Sequence, residues 1–176
     1  MFAMREVRLD CGVCVLRPWR SDDLAALVHQ ANNRHVWLTL RDRFPHPYTI
    51  DAGRAWLDAA GATNPPTALA IEADGVVAGG IGVVPGVDVH RHTGEIGYWL
   101  GQAFWGRGIA TAAVAAFVPW VGDVHALTRV FADVFANNPA SARVLEKCGF
   151  TLEGRMPRHI YKAGEYLDQL VYGRLI

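Results

Sequence analysis

Three cysteines in 176 residues are too few, and odd in number, for a disulfide framework, and they suit a reducing compartment. Cys11 and Cys14 do have C-x-x-C spacing. A structural zinc site needs four ligands and a redox pair usually opens a helix. This pair sits in an apolar, strand-like stretch without a second pair, so neither metal nor redox use is expected. Charge is not in excess either: 17 Lys plus Arg balance 17 Asp plus Glu. Without a basic field to gather a phosphate backbone, nucleic acid is not expected as a partner. No uninterrupted apolar run reaches the roughly 20 residues that span a bilayer, so no membrane partner is expected. Met1 to Asp10 alternates charge with hydrophobe instead of forming a signal-peptide core, so a cytoplasmic location is expected. Linkers, repeats and low-complexity tracts are also missing, and residues 1–176 are expected to form one domain whose 51% hydrophobic content supplies a core.

The patterning present alternates strand with helix. Glu6 to Leu9 and Val13 to Arg17 flank Asp10-Cys11-Gly12 as a hairpin or bent strand ended by Pro18. Ser21 is placed to cap a helix running to about Asn32, with Leu24, Leu27 and Val28 as its apolar stripe. Arg41 to Pro47 breaks any period before a short helix over Asp51 to Ala60. Ala68 to Ala73 and Val76 to Val84 meet at Asp74-Gly75, a hairpin signal, and His92 to Leu100 continues the meander. Ile109 to Trp120 reads as a helix stopped near Pro119 to Gly122, and Thr128 to Ala136 as a strand. Asn138-Pro139 opens a helix that Gly149 closes, and Phe150 to Met156 and Glu165 to Ile176 are strands. This order points to a layered α/β (α+β) fold with a mixed sheet, not a doubly wound one.

The run Trp99 to Ala110 is a strand, a turn with Gly106 and Gly108, then a helix start. Closely spaced glycines let backbone N–H groups converge, and the helix adds its positive dipole end, so the turn suits a pyrophosphate. A bare Gly-x-Gly before a helix is also often just a tight turn. A dinucleotide-binding fold ranks far lower, because the third glycine and the βαβ rhythm are missing.

Three blocks, Gly94 to Leu100, Trp105 to Ala110 and Asn138 to Phe150, resemble in residues, order and spacing the GCN5-related N-acetyltransferase (GNAT) family, within its RimJ/RimL-like branch. Leu16-Arg17-Pro18 matches that branch's opening, while residues 33–66 resemble it weakly. The resemblance implies a mostly antiparallel mixed sheet of about seven strands, flanked by about four helices, with two strands splayed around acetyl-CoA. The backbone of Tyr98, Trp99 and Leu100 would face the pantetheine arm and thioester, and Trp105, Gly106, Arg107, Gly108, Ile109 and Ala110 the pyrophosphate. Asn138 would cap its helix and contact the pantetheine, and Ser141 would lie near the CoA sulfur. The family's Gln or Arg before the glycine turn is Ala103 here, beside Gln102, which leaves pyrophosphate binding to the backbone. A Tyr that serves as acid in one branch is Leu145 here, which excludes that mechanism.

Glu95 is the expected base, acting directly or through water; its alternative is an ordinary strand carboxylate paired with a basic residue. His92 and His159 are fallback bases. An oxyanion donor is expected from a backbone N–H around Tyr98 or Trp99. Trp37 and Trp56 fall in the segment that covers the acceptor site in similar enzymes, while most of the six tryptophans read as core. The implied activity is acetyl transfer from acetyl-CoA to a primary amine, a protein N-terminal α-amino group or a small amine such as an antibiotic or polyamine, with no metal. A non-catalytic acyl-CoA sensor or scaffold is the alternative of another class. The resemblance is compatible with a homodimer.

Overall fold

A computed structural model describes residues 7–176, so Glu6 of the first expected strand and the region before it lie outside the described residues. The chain runs β1 (Leu9–Asp10), β2 (Val15–Pro18), α1 (Leu24–Ala31), α2 (Arg34–Trp37), α3 (Ile50–Gly61), β3 (Ala68–Ala73), β4 (Val76–Pro85), β5 (Thr93–Leu100), α4 (Ile109–His125), β6 (Arg129–Phe135), α5 (Pro139–Lys147), β7 (Thr151–Lys162) and β8 (Glu165–Leu175). The described strands form one sheet in the order β1-β2-β3-β4-β5-β6-β8-β7. Neighbours are antiparallel except β5 and β6, so the mixed α/β expectation holds, with eight strands and five helices where about seven and about four were anticipated.

The two faces of the sheet are covered differently. Alternate residues of β3 to β6, including Ile71, Ile81, Ile96, Val130 and Ala132, pack with Val114, Phe117, Val118 and Val121 of α4 in the main core. That burial carries α4 through Pro119 to His125, beyond the expected stop. Proline forfeits one backbone hydrogen bond, but the apolar face on both sides of it is fully buried. On the opposite face Leu27, Ala31 and Tyr48 form a second cluster, with Trp19, Phe44 and Trp99 against it.

Several local readings need correction. Ser21 does not cap α1; it lies in a short 3₁₀ turn, Ser21–Asp23, entered through Arg20, whose N–H donates to the Asp23 carboxylate at 2.8 Å. Asp23 also binds Arg17, which explains why the buried carboxylate wins over the exposed hydroxyl. Helix α2 was not anticipated: Asn33 caps it, accepting from the N–H groups of His35 and Val36. Strand β7 continues past Met156 to Lys162 by shifting register between Met156 and Ile160, which carries its end back over the sheet's cavity.

Candidate active site

Strands β5 and β6 pair in parallel only at Thr93, Gly94 and Glu95, opposite Arg129, Val130 and Phe131. Beyond Glu95 they part, while β5 stays paired to β4 as far as Leu100 and β6 to β8 as far as Phe135. Each strand therefore presents an unpaired backbone edge to a wedge-shaped gap, the splay expected above. In the β4–β5 ladder, Gly101 N–H bonds Ala78 C=O and Gly86 N–H bonds Thr93 C=O, both at 2.8 Å. Backbone groups alternate in direction along an antiparallel strand, so the odd-numbered residues of β5 face β4. Ile96, Tyr98 and Leu100 face the gap. The Trp99 backbone is committed to β4, against the expectation that it faces the gap, so of Tyr98 and Trp99 only the Tyr98 N–H is turned toward it.

One end of the gap leads to the glycine turn. Gly106 and Gly108 have φ of +74° and +77°, and a Cβ at either position would meet nothing within 4 Å. A side chain there would thus be strained by its backbone and would project into open space before α4. Helix α4 begins at Gly108 without a side-chain cap, so its first N–H groups remain available to an anion. Trp105 ties the turn to the strand, its Nε1–H donating to Leu100 C=O at 2.9 Å. The Arg107 guanidinium pairs with Asp74 at 2.8 Å and lies over the Phe104 ring. Gln102 is turned toward Asn33, whose amide donates to it at 2.9 Å. Both side chains are thus engaged with other groups of the protein. Ile109 is fully buried beneath the turn, and Ala110 is partly buried.

The far wall is the start of α5. Asn138 Oδ1 accepts from Ser141 N–H at 3.3 Å, the cap expected of it. Ser141 meets Tyr98 across the wedge: the Tyr98 hydroxyl donates to Ser141 C=O at 3.1 Å and lies 2.9 Å from Ser141 Oγ. Burial pushes the Tyr98 phenol well above its ordinary range, so it stays neutral. Leu145 is fully buried core and has no proton to give.

On the opposite face, at the point of splay, the Glu95 carboxylate pairs with Arg41, and the same guanidinium reaches Asp133 of β6 at 3.0 Å. Burial and the neighbouring Glu95 charge push the Asp133 carboxyl up, with Arg41 pulling the other way. Arg41 and Asp133 line a cavity of about 170 Å³ together with Phe135, Tyr161, Lys162 and Gln169. Lys162 is almost fully buried there, donating to Asp42 at 2.7 Å with its Nζ 3.7 Å from the Trp37 ring centre.

Trp37 thus adjoins the cavity through Lys162. Trp56 does not: it packs edge-on against Trp19. His92 binds Ala126 C=O at 2.8 Å, and His159 is exposed on β7; neither lines the cavity. Arg41, Asp133 and Lys162 were not anticipated. Asp133 carried a usable signal, a charge within the otherwise apolar run Val130 to Phe135. Among the described residues there is no cluster of His, Cys, Asp and Glu that could hold a metal ion, and no helix long and apolar enough to cross a membrane.

The chain is similar to known proteins in sequence and in fold. The ribosomal-protein-serine acetyltransferase of Escherichia coli (strain K12) is 33% identical over 84 residues, 48% of this chain and 47% of that protein. The chain spans about half the length of the curated relatives it matches first, 46% and 49%. Among solved structures, RimJ of Mycobacterium smegmatis in complex with CoA-disulfide superposes with a TM-score of 0.80 at 27% identity, covering 96% of this chain and 84% of that one. RimL, a ribosomal L7/L12 alpha-N-protein acetyltransferase in complex with coenzyme A, shares the fold with a TM-score of 0.84 at 23% identity, over 97% and 98% of the two chains. The family model of the acetyltransferase (GNAT) domain matches residues 14–151, and the chain belongs to that family.

Proposed function

We propose that this chain is an acetyl-CoA-dependent N-acetyltransferase that acetylates a primary amine, with a protein N-terminal α-amino group as the acceptor class. The observation that carries it is the wedge beyond Glu95, which joins an uncapped glycine turn at one end to a carboxylate at the other. The residues fit the co-substrate: the positive-φ glycines leave the cradle clear, and the free edge of β5 can pair with the pantetheine amides as an added strand would. The turn from Trp105 to Ala110 holds the pyrophosphate, and Asn138 lines the arm's path.

Tyr98 N–H stabilises the oxyanion that forms on the acetyl carbonyl oxygen. Glu95 takes the proton from the acceptor amine, directly or through water, as the new C–N bond forms. Ser141 Oγ–H donates a hydrogen bond to the sulfur as the C–S bond breaks and so stabilises the departing thiolate. An α-amino group, with a pKa near 8, is partly neutral at physiological pH and asks less of Glu95 than a lysine near 10.4. The names of the E. coli relative and of RimL, which act on ribosomal proteins, support the acceptor class.

Titration with acetyl-CoA, followed by thiol-release kinetics with unblocked peptides and small amines, tests the reading. Glu95→Gln is expected to lower turnover about a hundred- to ten-thousand-fold with acetyl-CoA affinity nearly intact. Failure to bind acetyl-CoA would overturn the function. Full turnover of the variant with acceptors of different basicity would remove Glu95 from the mechanism and leave proximity as the source of rate.

A further inference from the structure

Arg41 lies between α2 and α3 and reaches over the splay from the solvent side. Its guanidinium spans two carboxylates on different strands, Glu95 of β5 and Asp133 of β6, just where those strands cease to pair. The anions lie deeper than the cation: their side chains are 24% and 17% exposed, and that of Arg41 is 43% exposed. A half-exposed loop arginine adds little stability by itself. Two carboxylates brought together at a strand edge, one of them flanked by the apolar Val130 to Ala132 and Val134 to Phe135, cost desolvation and mutual repulsion that a fold alone does not require. The 170 Å³ cavity bordered by Arg41 and Asp133 gives a second cation room to enter beside them.

Building on the acetyltransferase reading above, we propose that Arg41 is a built-in stand-in for the acceptor's ammonium, displaced from Glu95 and Asp133 by a protonated primary amine, with Asp133 as the specificity-determining residue. Asp133 holds the incoming cation by charge-assisted hydrogen bonds; the ammonium then passes one proton to solvent water, and Glu95, nearer the start of the wedge, takes the second as the C–N bond forms. Acceptors uncharged at neutral pH gain nothing from Asp133. The exchange keeps the carboxylates paired with a cation throughout, so neither is left bare.

The test uses two protonated acceptors, an unblocked alanine tripeptide and spermidine, and one arylamine that is neutral at the assay pH. Asp133→Asn is expected to raise KM for the protonated pair about tenfold and to change KM for the arylamine by less than about twofold. Arg41→Ala is expected to lower KM for the protonated pair, and millimolar guanidinium is expected to raise it again in that variant by competition. Calorimetric titration of the same amines into CoA-loaded protein repeats the comparison without turnover, and melting curves verify that each variant is folded. Equal effects of Asp133→Asn on charged and neutral acceptors, no effect on either, or a higher KM in Arg41→Ala would overturn the proposal. So would a failure of every protonated amine to bind wild type and Arg41→Ala alike. Intact acetyl-CoA binding in those cases confines the failure to this inference, whereas lost acetyl-CoA binding in the wild type would defeat the underlying function.

Discussion

Tyr98 on β5 and Ser141 on α5 are joined across the wedge by the phenol, which donates to Ser141 C=O at 3.1 Å and lies 2.9 Å from Ser141 Oγ. When the phenol donates to Oγ instead, the serine's own proton is free to turn toward a sulfur in the gap. Because burial holds the phenol neutral, it remains a donor across the working pH range. Ser141→Ala is expected to lower kcat for thiol release about a hundredfold, and Tyr98→Phe about tenfold, with acetyl-CoA affinity preserved in both. Undiminished turnover of Ser141→Ala would show that the departing thiolate needs no hydrogen bond from this serine.

The glycine turn separates backbone strain from phosphate repulsion. Gly108→Ala pays only for a side chain at φ +77°, on the order of 1 kcal/mol, since the space around it is open. Gly108→Glu adds a carboxylate at the start of α4, where an anion is to bind. Calorimetry should show weakened acetyl-CoA binding for the alanine variant and almost none for the glutamate variant, at similar melting temperatures. Equal affinity of the two would move the pyrophosphate to another location.

Asp133 links the site to stability. Its carboxyl is raised in the folded state, so the native protein holds that proton more tightly than the unfolded chain does. The stability this contributes is fully present below the ordinary carboxylate value of about 3.9 and is lost as pH rises through the folded value. Asp133→Asn carries no charge to bury and is expected to melt at or above the wild-type temperature near neutral pH, with the difference shrinking toward acid. Melting curves across that range check it; a variant less stable at neutral pH would mean that the Arg41 pair outweighs the burial.

Arg17 is a purely structural counterpart. It is buried on β2, donates to both oxygens of the buried Asp23 at 2.8 Å, and also donates to Glu72 of β3 at 2.6 Å. Arg17→Met leaves Asp23 charged and unpaired, which is expected to cost about 3–5 kcal/mol by denaturant unfolding. A loss below about 1 kcal/mol would show that water reaches Asp23 and replaces the guanidinium.

The glycine turn and the Asn138 cap could be read from sequence because their determinants are local. A glycine at positive φ, an Asn before a Pro and the strand that enters the turn are each set by residues within a few positions of one another. The same locality misled at Pro119, where proline is a sound stop signal for an isolated helix. There the buried face of α4 overrides the single hydrogen bond that proline forfeits.

The cluster around Arg41 was decided only in three dimensions. Arg41 meets Glu95 across 54 positions and Asp133 across 92, and Lys162 meets Asp42 across 120. No periodicity or capping rule relates residues so far apart. What brings them together is the parting of β5 from β6 and the register shift that returns β7 over the gap. The sequence by itself determined the order of the strands, the glycine turn and the capped helix, because backbone sterics and hydrophobic period act over a turn or a strand. The tertiary structure alone decided which of many surface charges would share one guanidinium, because ion pairing acts through space between strands that the chain reaches at different times.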